Sequence, residues 1–216
     1  MADMPLLLKI LLLSLFSPAV SMATDVIELG SFSSSGLSGW SEKSFQGTTE
    51  YRIVEEGGEK VLHAKSENSA SGLVFETSFD PQQFPILSWR WKVSDTISQG
   101  DSRSKAGDDY AARVYVVFPH WFFPKTKTLN YIWANQLPKN SSQLSVYTGN
   151  AMMIAVESGS AKAGEWVTVK RNLLDDYRKA FGEEPPNVGA IAIMTDTDNT
   201  GETAVAWYGD IKAFRK

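Results

Sequence analysis

Oxygen donors crowd two short stretches of this chain. In Asp196-Thr-Asp-Asn-Thr-Gly-Glu202, carboxylates and an amide sit close together around a glycine that permits a sharp turn. Ca2+ takes roughly six to eight oxygens, which Asp and Asn side chains and backbone carbonyls supply together. Asp196, Asp198, Asn199 and Glu202 are therefore candidate ligands of a structural Ca2+. The spacing is not that of an EF-hand, which needs a longer loop and a distal Glu. Asp and Asn also close Asx-turns unaided, so a metal-free turn is the stronger reading of the same residues.

The second stretch is Gly107-Asp-Asp-Tyr110, followed by Arg113. Adjacent carboxylates on an extended segment point to opposite faces, so Asp108 and Asp109 do not by themselves form an acid–base pair. A glycosidase needs two carboxyls roughly 5 to 10 Å apart. Asp108 or Asp109 would meet that need with Asp196, Asp198 or Glu202 only if the two loops converge. Arg113 offers the structural alternative, an ion pair with Asp108 or Asp109 that fixes the loop.

Aromatic rings stack on sugars while Arg and Asn bind hydroxyls, and Tyr115, Trp121, Asn130, Tyr131, Trp133, Arg90 and Arg113 are candidates for such a platform. Trp89, Trp91, Trp166 and Trp207 read as core. Trp121 lies in a proline-bounded run, Pro119-His-Trp-Phe-Phe-Pro124, where a loop anchor and a binding surface are both open readings. His63 and His120 stand far apart, and there is no Ser-His-Asp order, phosphate loop or HExxH motif.

These residues must be positioned by strands. Short β-rich runs recur at Val26–Phe32, Thr49–Val54, Lys60–Lys65, Gly72–Phe79, Ile86–Val93, Tyr110–Phe118, Thr128–Ala134, Ala151–Glu157 and Trp166–Arg171. In Ile86–Val93, Trp89, Trp91 and Val93 share one face, Arg90 and Lys92 the other. Ser94–Asp109 reads as a long surface loop. One helix is marked, from about Leu173 to Phe181, with Asn172 as N-cap, Asp175 and Asp176 in its first turn and Gly182 past its end. The last two strands are expected to form a hairpin, with Ile191, Ile193, Val205, Trp207 and Ile211 toward the core. Its other side carries Ala190, Ala192, Ala204, Ala206, Tyr208 and Asp210, a shallow face that a loop or a ligand would cover. Many strands and one short helix predict an all-β, antiparallel β-sandwich.

The chain has 216 residues and a net charge of −4, which argues against nucleic acid as a general partner. Lys9, the apolar run Ile10–Val20 and Ser21-Met-Ala23 read as a signal peptide over residues 1–23, cleaved after Ala23. Residues 24–216 then form a single β-sandwich domain with no later membrane span. With no cysteine for disulfides, a periplasmic or otherwise secreted location is expected.

Several segments resemble the bacterial family catalogued as domain of unknown function 3047. They are Leu87-Ser-Trp-Arg-Trp-Lys-Val93, Gly107–Phe118, Leu129-Asn-Tyr-Ile-Trp-Ala134, Arg171-Asn172, Asp176-Tyr-Arg178, Ile193–Glu202 and Trp207-Tyr-Gly-Asp-Ile211. The resemblance covers nearly all of the mature chain, and the family brings no established activity. The run 119–124 matches no pattern. The order of Gly164–Val169, Val188–Met194 and Val205–Ile211 is similar to galactose-binding-type jelly rolls, the β-sandwiches of many carbohydrate-binding modules. That similarity implies a two-sheet jelly roll and a separate structural Ca2+ site that Asp210 would join. The leading functional reading is a non-catalytic module that binds a carbohydrate or envelope glycan. The alternatives are a glycoside hydrolase or lyase using paired carboxylates, and a structural envelope protein whose alanine face binds another protein.

Overall fold

The computed structural model describes residues 25–215, so the expected leader lies outside the described residues. Within them, fourteen strands form two seven-stranded sheets packed face to face. The first sheet holds β1 (Val26–Gly30), β3 (Glu50–Glu56), β4 (Glu59–Glu67), β6 (Ile86–Val93), β11 (Val167–Asn172), β13 (Thr203–Tyr208) and β14 (Ile211–Phe214). The second runs in the order β2 (Trp40–Gln46), β5 (Ala70–Phe79), β12 (Val188–Asp196), β7 (Arg113–Phe118), β8 (Lys127–Ala134), β10 (Ala151–Ser158) and β9 (Ser142–Leu144). Pairing is antiparallel except between β8 and β10, which run parallel. Two short helices complete the fold, α1 (Phe32–Ser35) and α2 (Leu173–Phe181).

Alternation along β6 builds the core. Leu87, Trp89, Trp91 and Val93 are buried, while Ile86, Ser88, Arg90 and Lys92 are half-buried on the outer side. From the opposite sheet, β8 sends in Leu129, Tyr131 and Trp133. Trp89 meets Tyr131 at 5.2 Å and Trp91 meets Trp133 at 6.1 Å between ring centroids, so aromatic pairs bridge the two sheets. Helix α2 has the bounds its caps dictate. Asn172 Oδ1 accepts the amides of Leu174 and Asp175, and Gly182 adopts the left-handed conformation at φ 70°.

The end of the chain departs from expectation. β12 and β13 are not a hairpin: β12 pairs with β5 and β7 in the second sheet, β13 with β4 and β6 in the first. The acidic loop between them therefore crosses from one sheet to the other. The faces of β13 are also reversed. Ala204, Ala206 and Tyr208 point inward, and Val205 and Trp207 outward. The core against Trp91 is filled by large rings and leaves room only for small side chains there. Tyr208 is carried in by hydrogen bonds from its hydroxyl to Met194 O, 2.8 Å, and with Thr195 Oγ1, 2.9 Å. Outside, Lys92 Nζ lies 4.2 Å from the Trp207 ring and His63 meets it edge-on at 5.4 Å. Ala190 and Ala192 keep to the outer face, so the expected four-alanine face does not exist.

Other differences are local. β7 begins at Arg113, and Tyr110–Ala112 are buried but irregular. The segment 94–109 is a loop, yet Gly100, Ser102 and Gly107–Asp109 are buried, because it lies over the second sheet rather than in solvent. β2 gave no strand signal: it is an edge strand with only Trp40 half-buried, so its sequence shows no alternation.

Candidate functional site

The two acidic loops converge on Arg113. Placed first in β7, its side chain lies on the outer face of the second sheet, with Met194 and Ile132 as cross-strand neighbours. The guanidinium holds Asp196 with two nitrogens, Nε to Oδ1 at 2.8 Å and Nη2 to Oδ2. Nη2 also reaches Asp108 O, and Nη1 reaches Asp108 Oδ2 at 3.5 Å and Tyr115 Oη at 3.3 Å. The Tyr110 ring lies 4.3 Å from Cζ. Asp109, fully buried, reaches across instead to the other loop. Its oxygens accept Asn199 N at 3.3 Å, Asn199 Nδ2 at 3.1 Å and Thr200 N at 2.7 Å. Asp109, Asp196 and Asp198 bring carboxylate oxygens within 4.8 Å of one another.

Burial governs the ionisation of this cluster. It pushes the Asp196 carboxyl up to about 8, against the pull of Arg113 and with help from Asp109 and Asp108. Burial likewise raises Asp108 and Asp198, and Asp109 adds to the shift of Asp198. For Arg113, burial acts downward, but Asp196, Tyr115 and Asp108 carry it well above the ordinary arginine value. Burial lifts Tyr115 to about 12.

Of the expected metal donors, Asp196 and Asp198 come together with Asp109, and Glu202 and Asp210 do not. Glu202 gives its carboxylate to Ser98 N and Oγ and to Gln99 N, at 2.8 to 3.1 Å. Asp210 lies elsewhere and accepts Ser33 N at 2.9 Å and Ser33 Oγ at 2.6 Å. Asn199 gives its amide nitrogen to Asp109 and Asp198, and its carbonyl accepts from Tyr147 Oη at 3.2 Å. Asp196 is taken by Arg113. Glu202 and Asp210 thus lie in hydrogen-bond sets of their own, while Asp196 and Asp198 gather with Asp109 as the carboxylates placed closely enough to share an ion.

The aromatic candidates also separate. Tyr131 and Trp133 are fully buried in the core and form no sugar platform. Tyr131 donates to Asp176 Oδ2 at 2.8 Å, and Trp133 Nε1 donates to Gly159 O at 3.0 Å. Arg90 lies on the far sheet, paired with Glu59 and 4.6 Å from the Trp166 ring. Trp121 is 91% exposed in the turn after β7. Tyr115 and Asn130 are cross-strand neighbours on the outer face of the second sheet, where Asn130 Nδ2 points to Met153 Sδ at 3.1 Å.

That outer face carries a groove of about 630 Å³ across β2, β5, β12, β7 and β8. Gly72, Ala190 and Ala192 keep its floor low, and Phe45 and Phe123 stand at its rims. Glu42, Lys43, Glu76, Tyr115, Thr126 and Thr128 bring polar groups into it. The Arg113 cluster adjoins it through Tyr115 and Met194. One signal for this groove is present in the sequence, the small outward residues Ala190 and Ala192. Phe45 and Gly72 were missed because β2 showed no periodicity and Gly72 has no side chain to count.

A family model described as "Protein of unknown function (DUF3047)" matches residues 38–212. The chain belongs to this family. Among curated proteins, no sequence matches. Among solved structures, the cellulose-induced protein Cip1 is 8% identical, with 85% of this chain and 95% of that chain covered at a TM-score of 0.50. The xylan-binding domain CBM22-1 from Paenibacillus barcinonensis is 11% identical, with 90% and 97% covered at a TM-score of 0.43. The carbohydrate-binding module CBM29-2 is 12% identical, with 88% and 91% covered at a TM-score of 0.42. At such identities the similarity extends to the jelly-roll fold alone.

Proposed function

We propose that this member of the family is a secreted or periplasmic, non-catalytic module that binds a glycan in the groove on the outer face of its second sheet. The observation that carries the reading is the groove itself: a floor of Gly72, Ala190 and Ala192 between Phe45 and Phe123, with Glu, Lys, Thr and Tyr side chains reaching in. Aromatic faces take the C–H surfaces of a sugar ring, and a few polar groups fix its hydroxyls. The fold of Cip1, named as cellulose-induced, agrees with a sugar ligand.

Binding is favoured over turnover by the paired loop carboxylates because Asp196 and Asp109 are already engaged. Asp196 is clamped by Arg113 and Asp109 by the amides of Asn199 and Thr200, so neither is free to act on a bound sugar. None of Asp108, Asp109 and Asp196 lines the groove.

Ala192→Phe tests the reading, since its ring would fill the floor without touching the core. The native protein is expected to bind an oligosaccharide on a glycan array, and the variant to lose at least about tenfold in affinity with an unchanged circular dichroism spectrum. Equal binding by both would remove the groove from consideration, and bond cleavage by the native protein would replace the reading with the enzymatic one.

A further inference from the structure

The turn between β7 and β8 leaves three consecutive aromatic side chains in solvent. Trp121 is 91% exposed, Phe122 48% and Phe123 79%. Slack does not explain this, because hydrogen bonds tie the turn on both sides of Trp121. His120 N donates to Thr126 Oγ1 at 3.2 Å, and Phe122 N to His120 Nδ1 at 3.0 Å. Lys125 N donates to Phe122 O at 2.8 Å, and Thr126 N to Phe123 O at 2.9 Å. Asn150 Nδ2 anchors Pro124 O at 2.7 Å. Among the rings of the described residues, Trp121 pairs with its chain neighbours His120 and Phe122, at 5.5 and 5.9 Å between centroids. The fold therefore holds these rings outward at a cost in apolar hydration, and exposed apolar clusters of this kind mark interaction sites.

A second exposed ring stands across the groove. Phe45 is 64% exposed, with Lys43 Nζ 5.4 Å from its centroid. Lys125, exposed at the end of the aromatic turn, lines a neighbouring cavity with His120 and Lys127. Lys43, Phe45 and Phe123 line the same groove, so these exposed rings share the outer face of the second sheet.

We propose that this side docks on a phospholipid bilayer. Trp121, Phe122 and Phe123 enter the boundary between headgroups and acyl chains, Phe45 touches beside them, and Lys43 and Lys125 reach headgroup phosphates. Tryptophan favours that boundary because its ring is apolar and its N–H is polar, and lysine keeps its charge in water while its stem lies along apolar surface. Exposed rings carried by two separate segments of one face, Phe45 with Lys43 beside it and Phe123, match an extended plane. The groove then opens toward the membrane. Docking itself is independent of the glycan reading.

Co-sedimentation with sugar-free vesicles tests this, using phosphatidylcholine alone and phosphatidylcholine mixed with phosphatidylglycerol. The native protein is expected to sediment with both, and more with the anionic mixture. The double variant Trp121→Ser, Phe123→Ser is expected to bind at least about tenfold more weakly with an unchanged circular dichroism spectrum. Brominated lipid is expected to quench tryptophan fluorescence in the native protein but not in Trp121→Phe. Failure of the native protein to sediment overturns the proposal. So does equal sedimentation of the double variant, or quenching that survives Trp121→Phe. Glycan binding, measured without vesicles, bears on the groove reading alone, so the two can fail separately.

Discussion

Asp196 shows how burial and charge contend within one side chain. Its folded pKa, about 8, stands above the unfolded aspartate value near 4, so the folded state holds the proton more tightly between those limits. Stability from this proton is fully present below about pH 4 and is lost as the pH rises through about 8. Asp108 and Asp198 are raised in the same direction, so they add to the slope. Melting temperature followed from pH 5 to about pH 8 should fall, and Asp196→Asn should flatten the curve. A melting temperature that rises through this range, or a slope unchanged in Asp196→Asn, would sink the account. Which residues carry oxygen and charge was legible in the sequence. That Asp196 belongs to Arg113 and Asp109 to Asn199 and Thr200 was not, since each pair joins loops more than eighty residues apart.

At the scale of elements, local chemistry predicted what it alone controls. Helix α2 has the bounds read from Asn172 and Gly182, because a helix end is decided by residues within one turn of it. Asn172→Ala should cost about 1 kcal/mol in urea denaturation, as it frees the amides of Leu174 and Asp175. An unchanged midpoint would show that the cap contributes nothing. β6 was legible for a similar reason, since one buried and one open face impose a period of two. β13 misled the same reasoning. Its sequence alternates alanine with Val205 and Trp207, and the larger residues looked like the core side. The core had already been filled by Trp89, Trp91, Trp133 and Tyr131, so the alanines turned inward and Trp207 found cover under Lys92.

At the scale of the molecule, one continuous core joins residues of both sheets, and β12 and β13 tie those sheets together through the acidic loop. The sheets should therefore unfold together. Far-ultraviolet dichroism, which reports backbone, and tryptophan fluorescence, which reports the core, should give coincident urea transitions. Separate midpoints would mean that the sheets are independent units. Among the described residues no helix is long and apolar enough to cross a membrane. By itself the sequence determined the strand-rich class, the helix with its caps, the inward tryptophans of β6 and the identity of the charged groups, because periodicity, capping and side-chain chemistry are local. Only the tertiary structure decided that β12 and β13 lie in opposite sheets, that two acidic loops close on Arg113, and that Phe45 and Phe123 line one groove. Those outcomes depend on which strands pair and on which side chains fill a shared volume, and neither is a property of any one segment.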